Sequence, residues 1–291
     1  MPTIHYSVSM PHPETHLFHI EMEVTGFDQP AYDFVMPSWT PGSYLIREFA
    51  RHVQEFQALS AGSQQPLPWR KVNKNTWRVE TAGQAGIVLR YRVYANELTV
   101  RTSHLDTSHG FFNGATLFMY LDGQRKHPAA LTISVPHADW KVSTGLPRLP
   151  MTFASGNGGN GHHDSEPSGL PHHQFRADDY DHLIDCPVEC SNHRLVTFEV
   201  DGVKHQIAIW GRGNEDAERL RKDVQAAVQA ARDIFGGLPY DTYLFILHLT
   251  EQRRGGLEHR NSSTNLVSRW SFRRPSAVSY THLTLPTSDL V

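Results

Sequence analysis

The sequence predicts an α+β protein, in which an antiparallel β region of sandwich or saddle form precedes a second, mixed unit. Three observations predict it. Apolar and polar residues alternate in short runs from Thr3 to about Val135. Proline and glycine punctuate the gaps between those runs, as in "MPSWTPGSYLIREF" and "SHGFFNGATLF". After Leu195 the order changes to a strand pair, one long helix and another strand. Many short strands with turn signals argue for stacked sheets, and a helix set between strands argues for a separate mixed layer.

Along the chain, "HLFHIEMEVTGF" sets Leu17, His19, Glu21 and Glu23 against Phe18, Ile20, Met22 and Val24, the period of a half-buried strand. "NTWRVETA" and "GIVLRYRVYANEL" alternate in the same way, and the proline of "ALTISVP" stops its strand. Pro41-Gly42 reads as a turn, with Trp39, Tyr44 and Phe49 as core or interface residues. Residues 155–173 are poor in apolar side chains and rich in Gly, Asn, Ser and His. They read as a flexible surface insertion, because their glycines give histidines no rigid ligand geometry. Beyond it, Leu195 to Trp210 holds two strands joined by Asp201-Gly202, a hairpin signal.

A helix is expected from Glu215 to Phe235, with Asn214 as N-cap and Gly236 as the left-handed stop. Leu220, Val224, Ala227, Val228, Ala231 and Phe235 share one face of it. The strand "YDTYLFILHL" then leads into "RRGGLEHRNSSTNL". The expected division is a β domain over 1–194 and the start of a second domain over 195–275. Residues 276–291 read as the translation of a synthetic sequencing adapter and are set aside from fold reasoning.

Composition excludes several function classes. The 291 residues are 39% hydrophobic, enough for two modest cores. With 27 Lys and Arg against 30 Asp and Glu, net charge is −3 and no basic run stands out, so no nucleic-acid partner is expected. No stretch of about 18 apolar residues exists, so no membrane span is expected. The N-terminus lacks a basic start and an apolar run, so no signal peptide is read and a cytoplasmic location is expected. Cys186 and Cys190 read as reduced cysteines beside a strand.

Residues that carry chemistry are few. Glycine pairs weaken a strand and mark places where another backbone approaches closely, and Gly255-Gly256 would bring that backbone beside Glu258. In "HPETH", Pro13 rules out a helical pair of His12 and His16. Asp106, His109 and Asn113 form a polar group, but no nucleophile elbow accompanies it and a hydrolytic triad is rejected.

Four stretches stand in order: "MPSWTPGSYLIREFARHV", "VRTSHLDTSHGFFNGATLF", "DDYDHLIDCPVE" and "GGLEHRNS". Together they resemble the glycyl aminopeptidase family of zinc metallopeptidases, over about residues 3–275. The resemblance implies a β domain followed by a thermolysin-like catalytic domain, and hydrolysis of N-terminal residues, small ones such as Gly or Ala, from peptides. It implies that Gly255 and Gly256 pair with the substrate backbone while Glu258 holds the free α-ammonium, with His259 on the opposite strand face. It also implies zinc held by His-Glu-x-x-His and a further Glu. That motif does not occur in this sequence, and the adapter-like stretch stands where it is expected after "SFRRP". The chain is therefore expected to be an inactive N-terminal fragment of an aminopeptidase, with no catalytic residue and no metal ligand in it. The rival reading is a non-catalytic β-sandwich binding module.

The zinc expectation is checked by metal analysis of the purified chain, which should hold well under one zinc per molecule. One tightly bound zinc per chain, or metal-dependent turnover of aminoacyl reporters, would contradict it.

Overall fold

The computed structural model describes residues 2–43, 45–81, 83–149 and 171–273. The readings of Tyr44, of residues 155–170 and of the stretch 276–291 lie outside the described residues. His172 and His173, expected in the flexible insertion, instead begin the strand His172–Ala177.

A six-stranded sheet forms the first layer. Its order is His172–Ala177, Ala129–Ser134, Thr3–Ser9, Leu17–Thr25, Gly86–Tyr94, Val53–Ser60. Every neighbour is antiparallel except Thr3–Ser9 with Ala129–Ser134, which run parallel, a departure from the expected antiparallel sheet. The alternation in "LFHIEMEVT" is realised: Phe18, Ile20, Met22 and Val24 are buried and their neighbours are not. A second sheet, with Ala31–Val35 paired to Thr76–Glu80, supplies Phe34, Trp77 and Val79 to the same core. Phe49 joins this core as expected, whereas Trp39 does not and stands 50% exposed. A small third sheet sets His109–Phe112 beside Val188–Ser191.

The last sheet has the order Arg194–Val200, Val203–Trp210, Thr242–Thr250, Ser262–Ser268, Gly255–Glu258. Its first pair is the expected hairpin, and Asp201 and Gly202 both take positive φ, 52° and 79°, as a tight two-residue turn requires. The middle strands are parallel, so the chain must cross over between them, and the helix Ala217–Phe235 makes that crossing. The helix starts two residues later than predicted. Asp216 is the N-cap, accepting bonds from the N–H groups of Glu218 and Arg219, while Asn214 binds the carbonyl of Trp270. Leu220, Val224 and Val228 face Ile207, Ile209, Phe245 and Leu247. Phe235, the last residue of the helix, is 53% exposed rather than buried. Gly236 ends the helix at φ 77° as predicted.

The other face of this sheet is equally apolar. Ala208, Leu244, Ile246, Leu257 and Leu266 pack on Leu98, Val100 and Phe111 from the preceding β region. Beside that cluster, Glu189 is fully buried between two imidazoles. His248 Nε2 lies 2.8 Å from its Oε2, and His109 Nδ1 lies 3.3 Å from Oε1, which also accepts from Ser191 Oγ at 2.7 Å. His109 stacks on Trp210 with centroids 3.7 Å apart, and its Nε2 meets His104 Nδ1 at 2.9 Å. Burial alone would raise the Glu189 carboxyl, but His109 and His248 together hold it well below the usual carboxylate range. Burial lowers His248 despite the pull of Glu189. His104 is pulled down to about 4, by burial first and then by His109, against the charge of Asp106.

Two predictions follow from this join. Phe111→Ala removes the aromatic that ties the cores together and should cost about 3–5 kcal/mol. Thermal unfolding of that variant should begin in the last sheet, and an unchanged single transition would contradict this. For Glu189, His248 and His104 the folded value lies below the unfolded one, so the unfolded chain binds more protons in acid. Their stabilisation is present above the unfolded values, about 6.5 for imidazole and about 4.3 for Glu, and is lost as pH falls below them. Tm should therefore fall between pH 7.5 and 4.5, and less steeply in His104→Gln. Parallel curves for the two proteins would refute the assignment of His104.

Candidate peptide-binding edge

Gly255–Glu258 is an edge strand of the last sheet, antiparallel to Ser262–Ser268. The pair is joined by a tight turn in which His259 N–H donates to the Ser262 carbonyl at 2.8 Å. Leu257 is buried among Leu266, Ile246 and Val100, which fixes the face of every other residue in the strand. Gly255 shares that face, and a Cβ there would sit 3.4 Å from Val100 Cγ1. Gly256 and Glu258 face the other way, on the side of their cross-strand partners Asn265 and Ser263. Glu258 is half-buried.

The preceding β region grips this strand and its turn at several points. Arg253 donates to the carbonyl of Leu98. Asp185 accepts from His259 Nδ1 at 2.9 Å and from the N–H of Arg260 at 3.1 Å. Asn261 Nδ2 donates to the Gly145 carbonyl at 2.8 Å, and a side chain at Gly145 would overlap Asn261. Gly42, at φ 76°, lies so close that a Cβ would come within 2.8 Å of Leu257 Cδ1. His259 thus turns to the face opposite Glu258 and is buried against Asp185. The three residues singled out from sequence share one short strand. The clamp of Gly42, Gly145 and Asp185 was missed, although Gly42 and Asp185 lie within two of the quoted stretches. Asp106 is spent locally on Ser108 and His109, and Asn113 binds the carbonyls of Val100 and Thr102, so the rejected triad has no geometry behind it.

An edge strand presents unpaired N–H and C=O groups, and an extended peptide can add to it as one more strand. A half-buried carboxylate at the end of that strand can accept a charge-assisted bond from an ammonium. Both capacities meet here. As for a metal, His109, Glu189 and His248 place ligand atoms within 4.8 Å of one another, and so do His104, Asp106 and His109. A peptidase zinc needs a position open to water and substrate. Glu189 and both its histidines are fully buried and already hydrogen-bonded to one another, and His109 is shared by both trios. Neither trio fits a catalytic zinc. Among the described residues, no helix is long and apolar enough to cross a membrane.

Comparison with known proteins bears on the fold and the family. The chain resembles an aminopeptidase N family protein from Idiomarina loihiensis, at 32% identity and a TM-score of 0.80, over 92% of this chain and 42% of that one. An M1 zinc metallopeptidase from Deinococcus radiodurans shares the fold at 13% identity and a TM-score of 0.53, over 97% of this chain and 62% of that one. Another structure of the Deinococcus enzyme, an E323A mutant, has a Tyr-Ser-Ala substrate bound. Native yeast LTA4 hydrolase has the same fold at 12% identity and a TM-score of 0.52, over 97% of this chain and 42% of that one. The chain thus spans less than two thirds of each of these proteins. No curated protein matches it. The model of the Peptidase M61 N-terminal domain matches residues 5–192, well over half of the sequence, and the chain belongs to that family.

Proposed function

We propose that this chain is the N-terminal β domain (1–194) and the opening part of the thermolysin-like catalytic domain (195–275) of a zinc aminopeptidase that removes N-terminal residues, small ones such as Gly or Ala, from peptides. The observation that carries the reading is the edge strand Gly255–Glu258, with its glycine pair leading to a half-buried carboxylate. The family membership supports it over a non-catalytic β-sandwich module. The substrate backbone runs along the edge past Gly255 and Gly256, which have no side chains, and bonds the outward N–H and C=O of Gly256. Glu258 accepts the α-ammonium, which only a chain end carries, and so fixes where the peptide begins. Bound zinc in the whole enzyme would supply the activated water, and no residue of this chain is assigned as its ligand. The chain's own residues bind and orient; they do not hydrolyse.

The test uses the full-length peptidase. Glu258→Gln keeps size and removes the charge partner, and a charge-assisted bond is worth about 1.5–3 kcal/mol, so kcat/KM on peptides with a free amine should fall roughly 10- to 150-fold. Zinc content should stay the same. N-acetylated peptides should be poor substrates for the wild type and lose little more in the variant. Wild-type rates on both substrate kinds would end the assignment of Glu258.

A further inference from the structure

Which groups of the edge strand face outward follows from its pairing. In an antiparallel ladder, hydrogen-bonded and non-hydrogen-bonded residue pairs alternate. His259 N–H donates to the Ser262 carbonyl, so that pair is bonded. Stepping by two, Leu257 with Thr264 and Gly255 with Leu266 are bonded pairs as well. The N–H and C=O of Gly256 and Glu258 therefore point away from Ser262–Ser268, toward the open edge.

At one of these the edge is not open. The Thr40–Ser43 turn, closed by a bond from Ser43 N–H to the Thr40 carbonyl, meets the strand at its C-terminal end. A Cβ on Gly42 would lie 3.0 Å from the Glu258 carbonyl oxygen as well as 2.8 Å from Leu257 Cδ1. Gly42 also needs its positive φ of 76°, which L side chains rarely adopt. Sterics and backbone conformation demand the same residue. The turn belongs to the first β region, yet it packs on the Leu257 side chain and lies close to the outward carbonyl of the residue that ends the strand.

We propose that the Thr40–Ser43 turn is the amino-terminal stop of the substrate strand, a specificity-determining element that confines this edge to chain ends. The proposal rests on the reading of Gly255, Gly256 and Glu258 as the substrate-binding edge. A peptide running antiparallel to that strand pairs with Gly256 and arrives at Glu258 with its first residue. The N–H of that first residue reaches the Glu258 carbonyl, and beyond it a longer chain would meet the turn, where a Cβ on Gly42 would already lie 3.0 Å from the oxygen. The chain must end, and its ammonium is left beside the Glu258 carboxylate. Glu258 then rewards a free terminus by charge, while the turn excludes a longer chain by shape. A second, repulsive element of this kind is how a site discriminates beyond what attraction alone gives.

Two variants of the full-length peptidase act on the stop in opposite directions. Deleting Pro41 and Gly42 retracts the turn. The ratio of kcat/KM on N-acetylated and N-terminally extended peptides to that on free-amine peptides should then rise by roughly tenfold to 100-fold. Gly42→Ala pushes a methyl group into the strand end. It should lower kcat/KM on free-amine peptides by up to about 100-fold, as a misplacement of about 1 Å does, with the ratio unchanged. A folded deletion variant with the wild-type ratio would overturn the proposal. If the deletion variant does not fold, wild-type kcat/KM in Gly42→Ala overturns it instead. Glu258→Gln run alongside separates the two readings. Loss of rate there with an unmoved ratio in the deletion variant sinks only the stop. Wild-type rates in Glu258→Gln sink the edge reading and the stop with it.

Discussion

The buried carboxylate of Glu189 is the constraint on which the arrangement of this molecule depends. An ionised carboxyl removed from water is costly unless charges and donors surround it. Here the donors come from both parts of the chain: His109 and Ser191 from the first β region, His248 from the central strand of the last sheet. Separating the two parts would strip Glu189 of His248, the partner that lies 2.8 Å from its Oε2. The apolar cluster of Val100, Phe111, Ile246 and Leu257 contributes non-directional attraction beside it, and the Glu189 bonds select one orientation. That orientation then sets where Gly42, Gly145 and Asp185 meet the edge strand.

The edge strand owes its position to the first region as much as to its own sheet. Four residues with one tight turn are too short to hold a register unaided. Arg253, His259, Arg260 and Asn261 are all tied to carbonyls or carboxylates outside the sheet, and Leu257 is buried under Val100. A strand held in this way is fixed before any ligand arrives, and in the proposed role that would lower the ordering cost of adding another strand to it. It also explains why the first β region contacts the proposed site at several points.

Much of this was legible in the sequence, for identifiable reasons. Period-two alternation marked Leu17–Thr25, Thr76–Glu80 and Gly86–Tyr94 because one face of each is wet. The Asp201-Gly202 turn and the Gly236 stop were readable because few residues tolerate positive φ. The helix start was missed by two residues because Asn214 and Asp216 are both good caps, and only the structure shows the Asn214 side chain bonded to the Trp270 carbonyl instead. Trp39 was misplaced because an aromatic in a Pro-Gly segment carries no period to assign its side. Gly255, Gly256 and Glu258 stood out through the glycine pair, whereas the partners of Glu189 were invisible. His109 and His248 are 139 positions apart, and nothing local announces that they share one carboxylate.

The parallel pairing of Thr3–Ser9 with Ala129–Ser134 has a consequence for how the chain is made. During synthesis Thr3–Ser9 finds its Leu17–Thr25 neighbour early, but its other edge waits until more than a hundred further residues have been synthesised. At about 5–20 residues per second, that wait lasts many seconds. Throughout it, Ile4, Tyr6 and Val8 belong to a sheet with an unpaired margin, which is a template for pairing with other nascent chains. The polar residues that alternate with them, His5, Ser7 and Ser9, keep one face of that margin wettable. A folding helper that shields exposed strand edges would therefore raise the yield of this protein more than one that acts only after release.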